Sequence, residues 1–129
     1  MLSRISSARA QLPSDGAGIV VVDATMARWL HDHDVIDACF GEERGGNWHG
    51  NFVTVRMPGG AFRERHRARI SAVVYYTRNP DDWKREFEMV VMHNPFARTP
   101  LSDHLLQVEG VRQLRRVDAA GGMFRLEEF

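Results

Sequence analysis

The residue types best suited to chemistry stand close together at 80–88, in the stretch Pro80-Asp81-Asp82-Trp83-Lys84-Arg85-Glu86-Phe87-Glu88. On an extended chain Asp82 and Lys84 share a side. A metal-dependent nuclease needs carboxylates that converge on the ion, here Asp82 with Glu86 or Glu88, and a cation for the charge that develops on phosphate. Against this, Asp82 and Lys84 fall within a stretch of Asn-Pro and Asp-Asp that reads as an exposed turn between two strands. The expectation is therefore that no catalytic set forms and that the chain does not cleave DNA with magnesium or manganese.

Four other groups carry chemical possibilities. Arg63, Arg65, Arg67 and Arg69 recur at period two in "RERHRAR". If extended, they line one side and their guanidinium forks suit phosphate oxygens; if helical, they scatter. With no aromatic residue between them, base stacking is not suggested. "HDHD" (31–34) has the composition of a metal cluster, but a helical zinc pair needs i, i+4 spacing and His31 and His33 are two apart. "GGNWHGNF" lacks the lysine and the strand-loop-helix order of a phosphate loop and reads as a connection, with Trp48 and His49 as candidates to line a small-ligand pocket. His93 and Asn94 are the other two pocket candidates. Their alternative role is to end a strand, since Pro95 pushes Asn94 out of the helical region and its amide can hold a turn. No metal site and no cofactor is expected.

The elements that must position these residues follow from periodicity. Leu2, Ile5, Ala8 and Leu12 predict a helix over 2–11 that Pro13 closes. "IVVV" (19–22) predicts a strand buried on both faces. Met26, Trp29, Leu30, His33, Ile36 and Phe40 form one stripe, which predicts a helix over 25–40, capped by Asp23 or Thr25 and ended by Gly41. Trp29 is then expected against strand 19–22, with Trp29→Ala costing about 3–5 kcal/mol. Residues 41–50 read as a loop; 51–57, 70–77 and 86–92 as strands, the last two antiparallel; 101–106 as a short helix; and "VRQLRRV" with "MFRLEEF" as a terminal hairpin. The fold class expected is α+β: a mixed, largely antiparallel sheet with two main helices packed on it.

Size and composition set the outer bounds. The 129 residues, 43% apolar, are expected to form a single globular domain over 1–129 that needs no disulfide or metal to fold. Cys39 is the only cysteine, which excludes an intrachain disulfide and a cysteine metal cluster. No apolar run approaches the ~18 residues of a membrane span, and the N-terminus lacks an apolar signal core. A cytoplasmic location and no membrane partner are expected. Residues 15–43 hold seven acids and one base (Arg28), while residues 44–78 hold seven arginines and one acid (Glu64). Such asymmetry either steers a partner or is interleaved by folding.

The order of "ARAQLPSDGAGIVVVD", a helix, "FG", "ISAVV" and "HNPFARTPL" resembles, over most of the chain, the C-terminal half of bacterial restriction-endonuclease-like proteins of the PD-(D/E)xK type. "PDDWK" spells that motif literally, yet in those enzymes the first acid is separated from the acid-x-lysine pair by a turn and a strand. There the active-site acids lie on strands before the helix that here is 2–11. The resemblance thus implies the half of such a domain that lacks the catalytic residues, with Lys84 misplaced to replace them. It implies a non-catalytic bacterial domain acting through interaction, with nucleic acid, a second copy or a protein partner. The alternatives are a nuclease using Asp82 and Lys84, and a small-ligand or regulatory domain with a pocket near Trp48, His49 and His93. The arginine reading has a direct check. Four extended guanidinium groups engaging a duplex should give a log–log salt slope of about −3 to −4, and Arg65→Ala with Arg67→Ala should flatten it by about two units in a fluorescence-anisotropy salt series. Absence of binding at about 50 mM salt removes nucleic acid from the candidates.

Overall fold

Runs of β-branched residues build the sheet. The computed structural model describes residues 1–13, 15–48, 50–63, 69–78 and 87–129. Its strands are β1 (Gly18–Asp23), β2 (Glu43–Trp48), β3 (Asn51–Arg56), β4 (Ile70–Arg78), β5 (Phe87–His93), β6 (Val111–Asp118) and β7 (Phe124–Glu128); its α-helices are α1 (Leu2–Arg9) and α2 (Asp32–Phe40). The strand order is β1-β4-β5-β6-β7-β3-β2. β1–β4 and β5–β6 run parallel and the other four pairs antiparallel. This is the α+β class expected, a mixed and largely antiparallel sheet with helices packed on it. Among the described residues no helix is long and apolar enough to cross a membrane.

β4 and β5 lie inside the sheet, and their near-continuous apolar runs fit burial on both faces. On one face Val73, Tyr75, Val90, Met92, Leu114 and Val20 meet Ile5 of α1 and Val35, Ile36, Cys39 and Phe40 of α2. On the other, Ala72, Val74 and Val91 are covered by Leu101 and Leu106 from the segment that joins β5 to β6. Burial raises the Cys39 thiol pKa far above its usual range.

Several expectations are corrected. β1 is not buried on both faces: it is an edge strand, and Val21 is 61% exposed. The helix expected over 25–40 begins only at Asp32. Before it the chain makes two successive four-residue turns, Ala27 N–H donating to Ala24 O and Leu30 N–H to Ala27 O. The cause is local competition by short polar side chains: the Asp34 carboxylate accepts the His31 amide, and Asp23 accepts that of Thr25. His31 becomes the N-cap, and the apolar stripe shifts to Val35, Ile36, Cys39 and Phe40. Met26 and Trp29, expected in the core, are 86% and 76% exposed. The stretch read as a loop at 41–50 is largely strand β2, paired residue for residue with β3 from Glu43↔Arg56 to Trp48↔Asn51. Its described side chains from Glu43 to Asn47 are exposed, with Gly45 and Gly46 in its middle, so apolar alternation gave no sign of it. The helix expected at 101–106 is a series of turns; there the Ser102 hydroxyl takes the His104 amide, a local alternative to helical bonding.

The end of α2 is built around two glycines and one arginine. Gly41 (φ 92°) ends the helix, and Gly60 (φ 70°) passes so close that a Cβ there would stand 2.6 Å from the Ala38 carbonyl oxygen. This approach lets Ala61 N–H and Phe62 N–H donate to Ala38 O and Cys39 O, carbonyls that the helix leaves unpaired. Arg56, 8% exposed, donates to Asp37 Oδ1 at 2.7 Å and to the Gly41 carbonyl, tying β3 to α2. Phe40, 1% exposed, packs edge-on against Phe62. Phe40→Ala should therefore cost about 3–5 kcal/mol in denaturant melts, whereas Trp29→Ala, which removes a mostly exposed ring, should cost less than about 1 kcal/mol. Equal losses for the two would contradict this placement of the core.

Candidate functional site

The parallel strands β1 and β4 finish side by side, Asp23 opposite Tyr76. Ala24 and Thr25 leave β1 there, Thr77 and Arg78 close β4, and α2 begins nearby. A cavity of about 450 Å³ opens between them, lined by Thr25, Arg28, His31, Tyr75, Arg78 and Glu88 among others. Ligands of open α/β sheets commonly sit outside the carboxyl ends of parallel strands, and a few convergent polar groups in a cleft are the usual mark of a small-molecule site.

Each side chain is placed by strand alternation or by a cap. Glu88 pairs with Thr77 in the β4–β5 ladder, and the period of two puts it on the same face as Val90 and Met92, at the rim of the helix-covered core. Tyr75, 3% exposed, donates its hydroxyl to the Leu30 carbonyl at 3.1 Å and so holds the turn that precedes α2. Asp32 and Asp34 fill the first turn of α2, where its dipole favours negative charge. Arg112 of β6 donates from Nη1 to Asp32 Oδ2 at 3.2 Å and from Nε to Glu128 of β7. The Arg78 backbone N–H donates to the Thr25 hydroxyl at 3.3 Å, closing the β1–β4 end.

These neighbours shift the titrations. Burial, then the charge of Asp32 and its hydrogen bond, raises Glu88 above the usual carboxylate range, while Arg112 and His31 pull it back. Burial, then Glu88 and Asp32, raises Tyr75. The hydrogen bond to Glu128 raises Arg112. Asp23, just outside, is lowered by hydrogen bonds from the Thr25 side chain and backbone. The cavity thus combines a carboxyl that holds its proton unusually well with two guanidinium groups, those of Arg28 and Arg78. Groups with shifted titrations in a cleft are candidates for function.

The residues singled out in the sequence are mostly elsewhere. Arg65, Arg67, His49, Asp82, Lys84 and Glu86 lie outside the described residues. Arg63 is exposed, and Arg69 sits at the turn into β4. Trp48 ends β2 and His93 ends β5, on strands that β6, β7 and β3 separate. His93 and Asn94 form part of the framework. The His93 Nε2 and Gln113 Oε1 are 2.8 Å apart, and the ring lies 5.4 Å from that of Phe129. Asn94, 5% exposed, donates from Nδ2 to the Ile70 carbonyl at 2.7 Å and accepts the Phe96 amide at 3.0 Å. His31 and His33 do not share a helix, because His31 is the extended N-cap of α2; their rings stack with centroids 5.6 Å apart. Even so, among the described residues no group of three or more His, Cys, Asp or Glu is placed to hold a metal ion.

Of the cavity residues, Glu88 entered the sequence reading only as a second acid of the nuclease alternative and His31 only within "HDHD"; Tyr75, Thr77 and Arg78 did not enter as site residues. One signal was available: an acid in step with Val90 and Met92 marks the face of β5 that turns toward α2, although Glu88 itself lies at the exposed start of the strand. The pairing of Glu88 with Asp32 spans 56 positions in sequence, and no local pattern carries it.

Comparison with known proteins finds no family model, no curated protein and no solved structure that matches this chain.

The raised Glu88 titration has a consequence for stability. Folded Glu88 keeps its proton to higher pH than an unfolded glutamate, so in that window the folded state binds more protons. Its contribution is complete below the ordinary glutamate value of about 4.3 and is lost as pH rises through the raised value. Glu88→Gln should flatten this fall when Tm is followed from about pH 4 to 7. A variant profile that parallels the parent across the range would contradict the assignment.

Proposed function

We propose that this chain is a ligand-binding domain whose cavity at the carboxyl ends of β1 and β4 takes a small molecule bearing both an anionic group and an amino group, an α-amino acid being the simplest. The observation that carries the proposal is the joint presence of Arg78 and Glu88 in the lining of one cavity. A guanidinium fork suits a carboxylate, and a carboxylate suits an ammonium. The helix dipole of α2 adds nothing for the anion, because Asp32 and Asp34 already occupy that end. Among the three readings open to the sequence this favours the small-ligand one, with Glu88 and Arg78 as its residues in place of the expected Trp48, His49 and His93. The relation to restriction-endonuclease-like domains and contact with nucleic acid are not needed for it.

Isothermal titration calorimetry with glycine, L-glutamate and L-lysine tests the proposal, with inorganic phosphate and putrescine as probes that carry only one kind of charge. An amino acid should bind in the millimolar range or tighter, and the single-charge probes more weakly. Glu88→Gln and Arg78→Ala should each weaken binding by about tenfold, one charge-assisted contact being lost in each. Affinity should rise with pH through the Glu88 titration, because the ionised carboxylate is the form that accepts an ammonium. Absence of heat with every amino acid at about 10 mM, or binding unchanged in both folded variants, would overturn it.

A further inference from the structure

β1 ends the sheet with a row of backbone groups turned outward. The Ala24 N–H donates to Tyr76 O at 2.7 Å and the Gly18 N–H to the Ser71 hydroxyl at 3.0 Å, so the even-numbered residues face β4. In a parallel pair successive residues alternate, which turns the N–H and C=O of Ile19, Val21 and Asp23 away from the sheet. Among the described residues no backbone hydrogen bond reaches these three from outside. The side chains do not guard this edge either. Val21 is 61% exposed, and Trp29, which lines the same groove, is 76% exposed. Such an edge is a template for another strand, and β1 carries neither of the usual blocks, a lysine or a proline.

We infer that the β1 edge pairs antiparallel with β1 of a second copy of this chain, about a two-fold axis through Val21. The occupant follows from the register and from charge. Three outward residues centred on Val21 are self-complementary: Val21 faces Val21, and Ile19 faces Asp23 twice. This is the isologous contact of a closed dimer. α1 lies along β1 in the opposite direction, with Leu12 against Gly18 at one end and Met1 and Arg4 grouped with Asp23 at the other. Exposed Arg9, near the end of α1, thus belongs to the Gly18 end, and exposed Asp23 to the opposite end. An antiparallel pair sets each Asp23 against the end where its partner carries Arg9. A parallel pair would bring like ends together. The antiparallel arrangement makes no use of the cavity proposed above.

Sedimentation velocity over a concentration series, from micromolar to several hundred micromolar, should show a monomer–dimer equilibrium. Val21→Pro removes an outward N–H without touching the β4 ladder and should raise the dimer dissociation constant by about tenfold or more. Arg9→Asp on exposed α1 should weaken the dimer, and Arg9→Asp with Asp23→Arg should restore it by at least half of the loss on a logarithmic scale. Circular dichroism checks that each variant is folded, and Arg9→Asp serves where Val21→Pro is not. A monomer at every concentration would overturn the inference. So would a dimer indifferent to Arg9→Asp, or a double variant no tighter than the single.

Discussion

A small buried clasp of polar atoms fixes where three strands start and stop. Ser71, 1% exposed, takes the Gly18 amide on its hydroxyl oxygen and donates to the Thr99 carbonyl at 2.5 Å. Its own carbonyl accepts the Asn94 N–H at 3.0 Å, while the Asn94 side chain ties the Ile70 carbonyl to the Phe96 amide. The beginning of β1, the beginning of β4, the end of β5 and the segment that follows are thereby held at one point. Among the described residues no buried side-chain nitrogen or oxygen lacks a partner. That satisfaction matters more than the number of bonds, because a single unmade hydrogen bond in the interior costs about 1–3 kcal/mol. The clasp also explains why the β4 register slips by one residue against β1 between Gly18 and Ile19: Ser71 is the extra residue, and its hydroxyl takes the place of a ladder carbonyl.

One ion pair joins the acidic and basic stretches of the sequence, and a second ties the acidic stretch to β6. Asp37 from the acidic stretch meets Arg56 from the basic one, and Asp32 meets Arg112 of β6. The first pair matters more for stability. Arg56 is buried and also bonded to the Gly41 carbonyl, whereas the Asp37 side chain is more than a third exposed, so breaking the pair costs less than the loss of a fully buried one. The second is half exposed and screened by solvent, so its main effect is on position: Arg112 holds Asp32 beside Glu88, at the mouth of the cavity.

The sheet's central strands were legible because burial on both faces leaves a continuous apolar signature, as in "ISAVVYYT" and "MVVM". So was the terminal hairpin. β2 was not, since an exposed edge paired through its backbone imposes no apolar pattern and tolerates Gly45 and Gly46. The start of α2 was misplaced because the stripe from Met26 to Phe40 fits helical spacing well. What overrides it is hydrogen bonding by Asp23 and Asp34, which a hydrophobicity pattern does not weigh. The cavity was the least legible part. Its lining comes from β1's exit, β4's end, β5's start and α2's cap, and only the strand order places those together. Sequence spacing finds chemistry when the residues sit on one element, as "RERHRAR" and "HDHD" seemed to offer, and is silent when they do not.

Cys39 gives the molecule an internal clock. The thiolate is the form that reacts with alkylating reagents and disulfides, and the Cys39 thiol is both enclosed in the core and held firmly protonated. Modification must wait until α2 lifts from the sheet, so the rate at which a thiol reagent consumes the protein counts those openings and nothing at the surface. With no second cysteine in the chain, the signal has a single origin. Any ligand or partner that favours the closed state would register as a slower loss of thiol, whichever face it binds.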